Sequence, residues 1–565
     1  MSNEGLVEDE PKGLKRILER KSGFDPETGI YHSLFQLNEH QKIPTRPDLD
    51  TAMYVLSQFP QSRVAETRIA LVDAASSRKV TYAELRHSIT CLATGLHHCL
   101  GVKKGDVVFV LSSNSLLYPI ICLAVLSVGA ILTTANPVNT EQEIVKQVKD
   151  SGAKFAIASP EEARKLHSTG VPTLLTTCSK HSKSVSIEEL IENCEPLNLP
   201  EDRPNQSDTA AILYSSGTTG DSKGVILTHA NLISVMTTLK WSVDITLAQN
   251  DVFLCFIPMF HIYGLAFFAL GLFCSGTTTV VMQKFDFQAM LEAIRTHNVS
   301  NIPAVPPVIL GLVKYSKGTS DLTSLRRVGS GAAPLSKELV DGFRKKFPWV
   351  ELRQGYGLTE SSGAATFLPF SEQTKAPAAS CGLLIPCFRA KVVHVETGHG
   401  LPPYNKGELW LRSPTVMKGY LGNKEATAAT IDSDGWLKTG DLCYFDKDGY
   451  LYIVDRIKEL IKHKGFQVAP AELEAVLLSH PDIVDAAVIP LEDEEAGQIP
   501  VAHIVRAAGA ELTEDQVIQF VARQVAPYKK VRKVNFAYAI PRSAAGKILR
   551  KELVLQSKQK AKSKL

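Results

Sequence analysis

The sequence has 565 residues, of which 44% are hydrophobic and 21% charged, and its formal net charge is +3. This is an ordinary globular composition, and the length exceeds what one hydrophobic core usually supports, so we expect at least two domains. The nearly balanced charge argues against a nucleic-acid partner. The ten cysteines form no C-x-x-C pair and no zinc spacing, which predicts free thiols in a reducing compartment rather than a disulfide framework.

The chain ends and the apolar segments bear on targeting. The N-terminal stretch is acidic and then basic without an apolar run, so we expect no secretory signal. Leu116–Leu132 and Val252–Phe273 are the most apolar segments, but both contain polar or turn-forming residues, and we interpret them as buried core with no transmembrane segment. The final residues Ser563, Lys564 and Leu565 match a peroxisomal address, which predicts a peroxisomal protein with the import receptor as a partner.

Buried strands and amphipathic helices alternate through the first part of the chain. Val107–Leu111, Ala153–Ile157 and Ala210–Tyr214 have the apolar runs of buried strands, and Glu141–Asp150 has a helical pattern. This alternation predicts a parallel, layered α/β core. The same pattern predicts strands at Pro172–Leu175, Val252–Phe256, Thr278–Val281 and Leu325–Gly329.

The pattern changes in the later part of the chain. Six glycines between Lys406 and Tyr452 separate short strands, which predicts a small β unit with tight turns. Strands and helices resume after a charged stretch that begins at Asp455. We therefore predict an α/β protein: a large N-terminal domain (residues 1–455) of layered α/β subdomains plus the β unit, a hinge at residues 456–458, and a small mobile α+β C-terminal domain (residues 459–565).

The strongest local motif is a loop of glycines and hydroxyls that follows a buried strand. It reads Ser215-Ser216-Gly217-Thr218-Thr219-Gly220-Asp221-Ser222-Lys223-Gly224. Glycines allow the backbone to turn tightly and approach a ligand, so that N–H groups and hydroxyls surround phosphate oxygens while Lys223 adds positive charge. The spacing is not that of a Walker A loop. The motif therefore predicts another kind of phosphate-binding loop.

Further motifs follow in a fixed order and carry a resemblance. They are Pro258–Gly264 (PMFHIYG), Gly329–Pro334 (GSGAAP), Gln354–Glu360 (QGYGLTE), Gly435–Asp441 (GWLKTGD), Asp455–Lys458 (DRIK), Ile461–Val468 (IKHKGFQV) and Pro541–Ile548 (PRSAAGKI). Together with the phosphate loop they resemble the adenylate-forming enzymes, a family of acyl- and aryl-CoA ligases, beetle luciferases and adenylation domains of peptide synthetases. Within it the sequence is most similar to plant peroxisomal 4-coumarate–CoA ligase-like proteins. Ser222 stands where the family usually has proline.

The resemblance implies a nucleotide site with assigned roles. Tyr356 would stack on adenine, Thr359 would bond the α-phosphate, and Asp441 would accept both ribose hydroxyls, as an ionised carboxylate can. Glu360 would be the Mg²⁺ ligand, since magnesium favours one or two carboxylates together with phosphate oxygens. The complete set implied for ATP and AMP is Ser215, Ser216, Gly217, Thr218, Thr219, Gly220, Lys223, Gly331, Ala332, Ala333, Gln354, Gly355, Tyr356, Thr359, Asp441, Arg456 and Lys547.

The resemblance also divides catalysis between two lysines on opposite faces of the C-terminal domain. Lys547 would serve adenylation, and Lys462 would serve the second step after the domain turns about the hinge residue Lys458. His261 would close the acid pocket and move to open the thiol tunnel. The residues implied beside coenzyme A are Lys464, Gly465, Phe466 and Gln467.

The acid pocket is the least determined part of the prediction. The resemblance implies a lining of Tyr263, Phe267, Gly331, Gly355, Gly363 and Ala364. Coumarate ligases usually have proline, valine and leucine where this sequence has Gly363, Ala364 and Ala365, so we expect a larger pocket that Phe267 partly refills. A hydroxycinnamate such as 4-coumarate, a fatty acid and a jasmonate precursor all remain open as substrates.

The predicted function is an ATP-dependent carboxylate–CoA ligase that forms an acyl-adenylate and then an acyl-CoA thioester, with ATP, Mg²⁺ and coenzyme A as cofactor and co-substrates. AMP and pyrophosphate would be released, and a monomer is expected. The main alternative is a luciferase-like adenylating mono-oxygenase. A carrier-loading adenylation domain would need a carrier module, and a binding protein without catalysis would be expected to lack Lys547 or Glu360.

Overall fold

The structure, a computed structural model, describes residues 22–177, 185–199, 202–215, 222–245, 250–315, 319–331, 335, 337–367, 377–464, 466–543 and 546–562. Within these residues the strands, in chain order, are β1 (Phe24–Asp25), β2 (Ile30–His32), β3 (Ile69–Asp73), β4 (Lys79–Thr81), β5 (Val107–Leu111), β6 (Ile131–Thr134), β7 (Phe155–Ala158), β8 (Thr173–Leu175), β9 (Thr209–Ser215), β10 (Lys223–Thr228), β11 (Val252–Cys255), β12 (Thr278–Val281), β13 (Asn301–Ala304), β14 (Arg327–Ser330), β15 (Glu351–Gln354), β16 (Tyr356–Leu358), β17 (Gly363–Phe367), β18 (Leu383–Leu384), β19 (Arg389–Val393), β20 (Gly407–Arg412), β21 (Gly419–Tyr420), β22 (Leu437–Phe445), β23 (Leu451–Arg456), β24 (Ile461–His463), β25 (Phe466–Val468), β26 (Ile483–Asp493), β27 (Gly497–Arg506) and β28 (Lys533–Phe536).

The α-helices of the same residues, in chain order, are α1 (Thr51–Ser57), α2 (Ser62–Thr67), α3 (Tyr82–Thr94), α4 (Leu117–Val128), α5 (Glu141–Ser151), α6 (Ile187–Asn193), α7 (His229–Ile245), α8 (Phe287–Thr296), α9 (Pro306–Lys314), α10 (Lys337–Lys346), α11 (Lys424–Thr430), α12 (Pro470–Leu478), α13 (Glu514–Ala522) and α14 (Arg550–Lys562).

Two seven-stranded sheets form the layered part of the large N-terminal domain. The first has the order β21-β10-β9-β6-β5-β7-β8 and the second β15-β14-β13-β11-β12-β3-β4. Most neighbouring strands are parallel, and the strands are short apolar runs, as expected for sheets covered on both faces. The predicted α/β architecture is therefore confirmed.

Helix α4 is apolar on all sides, and its residues Tyr118–Val128 are buried within the core of the large domain. A helix that is hydrophobic all round must be surrounded by protein or lipid. Here it is surrounded by protein, as the Leu116–Leu132 interpretation expected. In the described part of the chain, no helix combines the length and hydropathy needed to span a bilayer.

The glycine-rich segment after Lys406 forms part of an antiparallel sheet with the order β1-β2-β19-β20-β22-β23. A tight turn around Gly449, whose φ is 84°, joins β22 to β23. The sequence predicted this β unit, but not that the first two strands of the chain would extend it. Strands of two and three residues carry too little periodicity to be recognised.

The small C-terminal domain has its own sheet and its own core. Strands β25-β24-β27-β26 form the sheet, with β28 paired to β27, and helices α12 and α13 pack on a separate apolar cluster that begins at Ile461. The position of the boundary at residues 456–458 stays a prediction, although the change of sheet falls between Arg456 and Ile461.

Candidate active site

Three of the predicted nucleotide residues meet at one end of the antiparallel sheet. The Tyr356 hydroxyl donates to a carboxylate oxygen of Asp441 at 2.5 Å, and the Arg456 Nε lies 3.3 Å from the other oxygen. Asp441 is 3% exposed. Burial raises the pKa of Asp441, and the Arg456 guanidinium offsets part of that rise. The pair of acceptor oxygens is thus fixed by one phenol and one guanidinium.

The strand pairing explains why these residues meet. Asp441 on β22 and Arg456 on β23 are direct cross-strand partners. The register of β22 against β20 shifts between Lys438 and Leu442, a stretch in which Gly440 has a φ of 73° and its N–H donates to Glu408. Such a bulge turns a side chain away from the regular alternation of the strand. In this sheet it accompanies the inward placement of Asp441.

A second cluster joins the predicted magnesium ligand to the predicted phosphate lysine. The Tyr420 hydroxyl donates to Glu360 Oε1 at 3.0 Å, and the Lys223 Nζ lies 4.9 Å above the centre of the Tyr420 ring. The backbone supports this arrangement, because β21 pairs with β10 and the Met417 N–H donates to the Glu360 carbonyl. Tyr420 therefore connects the end of the phosphate loop to Glu360.

The base of the phosphate loop is a hairpin between antiparallel strands, because Lys223 on β10 pairs with Ser215 on β9. The Ser222 hydroxyl donates to the Ser215 carbonyl at 3.0 Å. A proline at this position could not make that bond, so the departure from the family pattern supplies a contact of its own. The tip of the loop, Ser216, Gly217, Thr218, Thr219 and Gly220, lies outside the described residues.

Lys547 of the C-terminal domain faces the nucleotide cluster. Its charge interacts with Arg456, Asp441 and Glu360. Burial and the nearby Arg456 lower the pKa of Lys547, and the two carboxylates offset part of this effect. The preceding Gly546 has a φ of 79°, and a Cβ built there would lie 3.3 Å from Val305 of the large domain. A glycine thus permits the close approach that brings Lys547 to the site.

His261 lies at the same junction. Burial lowers the pKa of His261 to about 4, with a smaller contribution from the charge of Lys547, so the imidazole is neutral near pH 7. Its loop is held by Asn114, whose side chain accepts from the Met259 N–H and donates to the Ile257 carbonyl. Gly264 ends the turn, and a Cβ there would overlap the Pro258 carbonyl oxygen at 2.1 Å.

Aromatic rings form one wall of the predicted acid pocket. Phe267 lies between Tyr263 and Phe253, with ring centres 5.8 and 5.9 Å away in edge-to-face arrangements. Burial raises the pKa of Tyr263 well above its usual range, so its phenol stays protonated as a donor. Its oxygen lies 3.8 Å from where a Cβ at Gly329 would stand.

Small residues border the remainder of the pocket. A Cβ at Gly331 or Gly363 would meet no described atom within 4 Å, and Ala364 is exposed, whereas a Cβ at Gly355 would lie 2.9 Å from the Thr366 carbonyl oxygen. Gly363 has a φ of 126°, which proline cannot adopt. The proline of coumarate ligases would therefore need a different backbone here. No atom of the described residues lies close to a Cβ at Gly331 or Gly363, and their place in the acid pocket stays a prediction.

The remaining nucleotide residues have mixed positions. Gln354 is buried, and its side chain bonds the backbone at Leu335 and Ala378, so its amide is already satisfied by protein groups. Thr359 is partly buried beside Glu360 in the turn after β16. Ala332 and Ala333 lie outside the described residues.

The residues predicted for coenzyme A form an exposed hairpin on the C-terminal domain. Lys462 on β24 pairs with Gln467 on β25, and both are exposed together with Lys464. Phe466 stacks on Tyr528 with ring centres 4.4 Å apart. No hydrogen bond or ion pair among the described residues joins this hairpin to the nucleotide cluster. Gly465 and the tripeptide 563–565 lie outside the described residues.

The predicted hinge residue Lys458 lies in a single helical turn between the two sheets, Ile457–Glu459. Next to it Glu459 pairs with Arg550, and the same guanidinium makes a two-pronged contact with the buried Glu474. These bonds join the hinge to the start of α14, three residues beyond Lys547.

Sequence reasoning missed Tyr420 and Asn114. Tyr420 lies in the turn-rich stretch Met417–Gly422, where a lone tyrosine gives no signal of its own. Asn114 is a buried polar residue between apolar runs, and that pattern was the available signal. No three His, Cys, Asp or Glu side chains converge as a metal site in the part of the chain that the structure describes.

Comparison with known proteins identifies the family of the chain. Residues 60–421 match the AMP-binding enzyme family, and residues 472–547 match the AMP-binding enzyme C-terminal domain. The chain is 45% identical to peroxisomal OPC-8:0-CoA ligase 1 of Arabidopsis thaliana over 91% of its length and 94% of that protein. It is 46% identical to 4-coumarate–CoA ligase-like 2 of Arabidopsis thaliana over 95% of both.

The fold agrees as well. The o-succinylbenzoate coenzyme A synthetase of Bacillus subtilis, solved in complex with ATP and magnesium ion, superposes with a TM-score of 0.76 and 28% identity over 90% of this chain and 99% of that one. The chain therefore belongs to the AMP-binding enzyme family, the adenylate-forming superfamily. Within that family it is an AMP-forming acid–thiol ligase of the plant 4-coumarate–CoA ligase-like group.

Proposed function

We propose that this ligase activates a long or bulky apolar carboxylic acid, of the fatty-acid or jasmonate-precursor class, in peroxisomes. The observation that carries the substrate class is the open border of the acid pocket at Gly331, Gly363 and Ala364, with Phe267 as the aromatic wall. The relative named as an OPC-8:0-CoA ligase supports this choice. A hydroxycinnamate such as 4-coumarate is the second candidate, supported by the relatives named for that acid and by the Tyr263 phenol.

In the first step two anions must meet, because both the carboxylate and ATP are negatively charged. Lys547 and Lys223 supply positive charge, and fixed charges that need no rearrangement lower the cost of the approach. The carboxylate oxygen attacks the α-phosphorus, the bond to the β-phosphate breaks, and pyrophosphate leaves. Asp441 holds the ribose hydroxyls, and Tyr356 packs on the adenine.

Glu360 is the residue that would hold Mg²⁺. The fit rests on its donor chemistry, because nucleotide-bound magnesium usually takes one or two protein carboxylates together with phosphate oxygens. Glu360 is such a carboxylate, and no cluster of other metal ligands converges among the described residues. When bound, the ion supplies charge that stabilises phosphate oxygens. The chain's own part is to orient Glu360 through Tyr420.

In the second step the thiolate of coenzyme A attacks the carbonyl carbon of the mixed anhydride, and AMP leaves. Lys462, Lys464, Phe466 and Gln467 lie on an exposed hairpin, so this step requires the C-terminal domain to turn about Lys458. Lys547 then leaves the site, and His261 moves from the entrance of the thiol tunnel. Such closure after chemistry orders the two steps.

The peroxisomal location rests on the residues Ser563-Lys564-Leu565 and on the relative described as peroxisomal. A fluorescent protein fused to the N-terminus should enter peroxisomes, and removing these three residues should leave it in the cytosol. Unchanged peroxisomal import of the shortened chain would contradict the role of the tripeptide.

The substrate is tested with purified enzyme, ATP, Mg²⁺ and coenzyme A against a panel of cinnamates, fatty acids and cyclopentanone-bearing acids. AMP release and thioester absorbance are measured for each acid. The proposal expects the highest kcat/KM with a long apolar acid. A clear preference for 4-coumarate would instead support the second candidate, and light emission with oxygen but no thioester would support a luciferase-like enzyme.

A further inference from the structure

Asp455 makes a contact that connects the two domains. It lies on β23, where it pairs with Leu442 in the antiparallel sheet of the large domain. Its Oδ2 accepts a hydrogen bond of 2.9 Å from the N–H of Ala471, in the first turn of α12 in the C-terminal domain. Asp455 is 7% exposed, so this carboxylate is buried at the junction.

Helix α12 depends on this acceptor. Its N-cap residue is Ala469, which has no side-chain acceptor, and its first residue is Pro470, which has no N–H. The first free donor of the helix is therefore the N–H of Ala471, and a helix N-terminus favours a negative charge. In most helices the N-cap side chain accepts this bond, but here Asp455, on the other side of the hinge, accepts it instead.

A second attraction acts on the same carboxylate. The positive charge of Arg550, at the start of α14, interacts with Asp455, although Arg550 is hydrogen-bonded to Glu459 and Glu474. Arg550 stands three residues after Lys547 in the chain. Asp455 thus interacts with both α12, the first α-helix of the C-terminal domain, and Arg550, close in sequence to Lys547.

Lys458 lies between Asp455 and all of these partners. Any large turn of the C-terminal domain about Lys458 moves Ala471 and Arg550 away from Asp455, because Asp455 stays with the sheet of the large domain. In the structure, the charge of Lys547 interacts with Asp441, Glu360 and His261. The Asp455 contact therefore exists in the domain arrangement that suits adenylation.

We propose that Asp455 is a positioning residue, a carboxylate latch that caps α12 across the hinge and holds Lys547 over the nucleotide site until the acyl-adenylate has formed. The proposal rests on the two-step reaction given above. The latch must also release, and its burial makes this possible. Burial raises the pKa of Asp455, which reports that the hydrogen bonds and Arg550 only partly offset the loss of solvation. A contact of this strength favours the domain arrangement for adenylation but still allows the domain to turn to the arrangement for thioester formation.

The test measures the two half-reactions separately in full-length protein. Adenylation is followed by acid-dependent exchange of pyrophosphate into ATP, and thioester formation is followed from supplied acyl-adenylate and coenzyme A. Loss of one helix cap shifts an equilibrium by about fivefold, so Asp455→Ala should slow exchange by about that factor. Thioester formation should stay unchanged or become faster, and Asp455→Asn, which keeps an acceptor, should fall between wild type and Asp455→Ala.

Ala469→Ser separates the latch from simple stabilisation of the helix. A serine there gives the Ala471 N–H a local acceptor, which stabilises α12 but needs no contact across the hinge. In the Asp455→Ala background it should restore the melting temperature without restoring exchange. In the wild-type background it competes with Asp455 and should slow exchange while leaving the melting temperature equal or higher.

Four results would overturn the latch, three of them in the variants. Those three are recovery of exchange by Ala469→Ser in the Asp455→Ala protein, equal loss of both half-reactions, or a raised KM for ATP with unchanged kcat, which would assign the effect to the neighbouring Arg456. Wild-type exchange equal to that of Asp455→Ala would also exclude it. Absence of exchange in the wild-type enzyme with every acid would instead show that the proposed function is wrong.

Discussion

Two lysine-bearing segments of the C-terminal domain differ in their surroundings. Lys547 is partly buried at the domain junction, where its charge interacts with Asp441, Glu360 and Arg456. Lys462 lies on the exposed hairpin β24–β25, and its backbone N–H donates to the side chain of Gln498 in its own domain. One domain therefore presents one lysine to the site while the other faces away.

The difference explains how one small domain can serve two steps. A lysine that neutralises the approach of two anions must be desolvated and in place before the reaction, whereas a lysine for a later step must be kept away from it. Since both belong to one small domain, Lys462 on β24 and Lys547 in the loop before α14, we infer that a turn of the whole domain exchanges them. The proposed order of the reaction follows from this arrangement.

The largest expected effect comes from Lys547→Ala. Removing one preorganised charge from a phosphoryl-transfer site costs about 10²- to 10³-fold in rate, so pyrophosphate exchange should fall by about that factor. Thioester formation from supplied acyl-adenylate should remain near the wild-type rate. Lys551→Ala, an exposed lysine on helix α14 four residues after Lys547, is the matched control and should change neither rate. Survival of exchange in Lys547→Ala would remove the basis of the comparison.

Lys462→Ala should give the reverse pattern with a smaller loss. A hydrogen bond to a charged group is worth about 1.5–3 kcal/mol, which corresponds to roughly tenfold or more in the rate of thioester formation. Pyrophosphate exchange should be unchanged, because the hairpin lies away from the nucleotide cluster. Lys533→Ala on β28 provides an exposed lysine of the same domain as the control. Equal loss of both half-reactions would contradict the division of roles.

The sequence predicted the layered sheets well because each buried strand is a local apolar run. The strand predicted at Val107–Leu111 has the observed bounds, and the predicted helix Glu141–Asp150 differs from α5 by one residue. The resemblance supplied the site residues, and the structure brings Asp441, Tyr356, Arg456 and Lys547 together. The contacts made by Tyr420 could not be predicted, because it is 60 residues from Glu360 in sequence and meets it only through the pairing of β21 with β10.

Tyr420→Phe tests the surroundings of Lys547, because Tyr420 holds Glu360 and the charge of Glu360 interacts with Lys547. It removes the hydroxyl that holds Glu360 and keeps the ring beneath Lys223. Glu360 is partly exposed, so the bond falls at the low end for charged groups, about 1.5 kcal/mol or roughly tenfold. We expect a raised KM for Mg²⁺ in pyrophosphate exchange and weaker Mn²⁺ binding by electron paramagnetic resonance in the presence of ATP. Tyr404→Phe, on an exposed turn, is the control. An unchanged metal dependence would mean that Tyr420 does not act through Glu360.

The smallest effect should come from Ala364→Val. Unlike the two lysine variants, it should affect both half-reactions equally. Ala364 belongs to the large domain and is exposed on β17, at the open border of the proposed acid pocket. In that proposal it keeps the same position relative to the acid whichever lysine is present. The added methyl groups should lower kcat/KM for a long apolar acid by about fivefold, which corresponds to about 1 kcal/mol, the low end for one methylene in an apolar pocket. Because the acid occupies this pocket in both steps, exchange and thioester formation should fall together. A loss confined to one half-reaction would show that the pocket also changes when the domain turns.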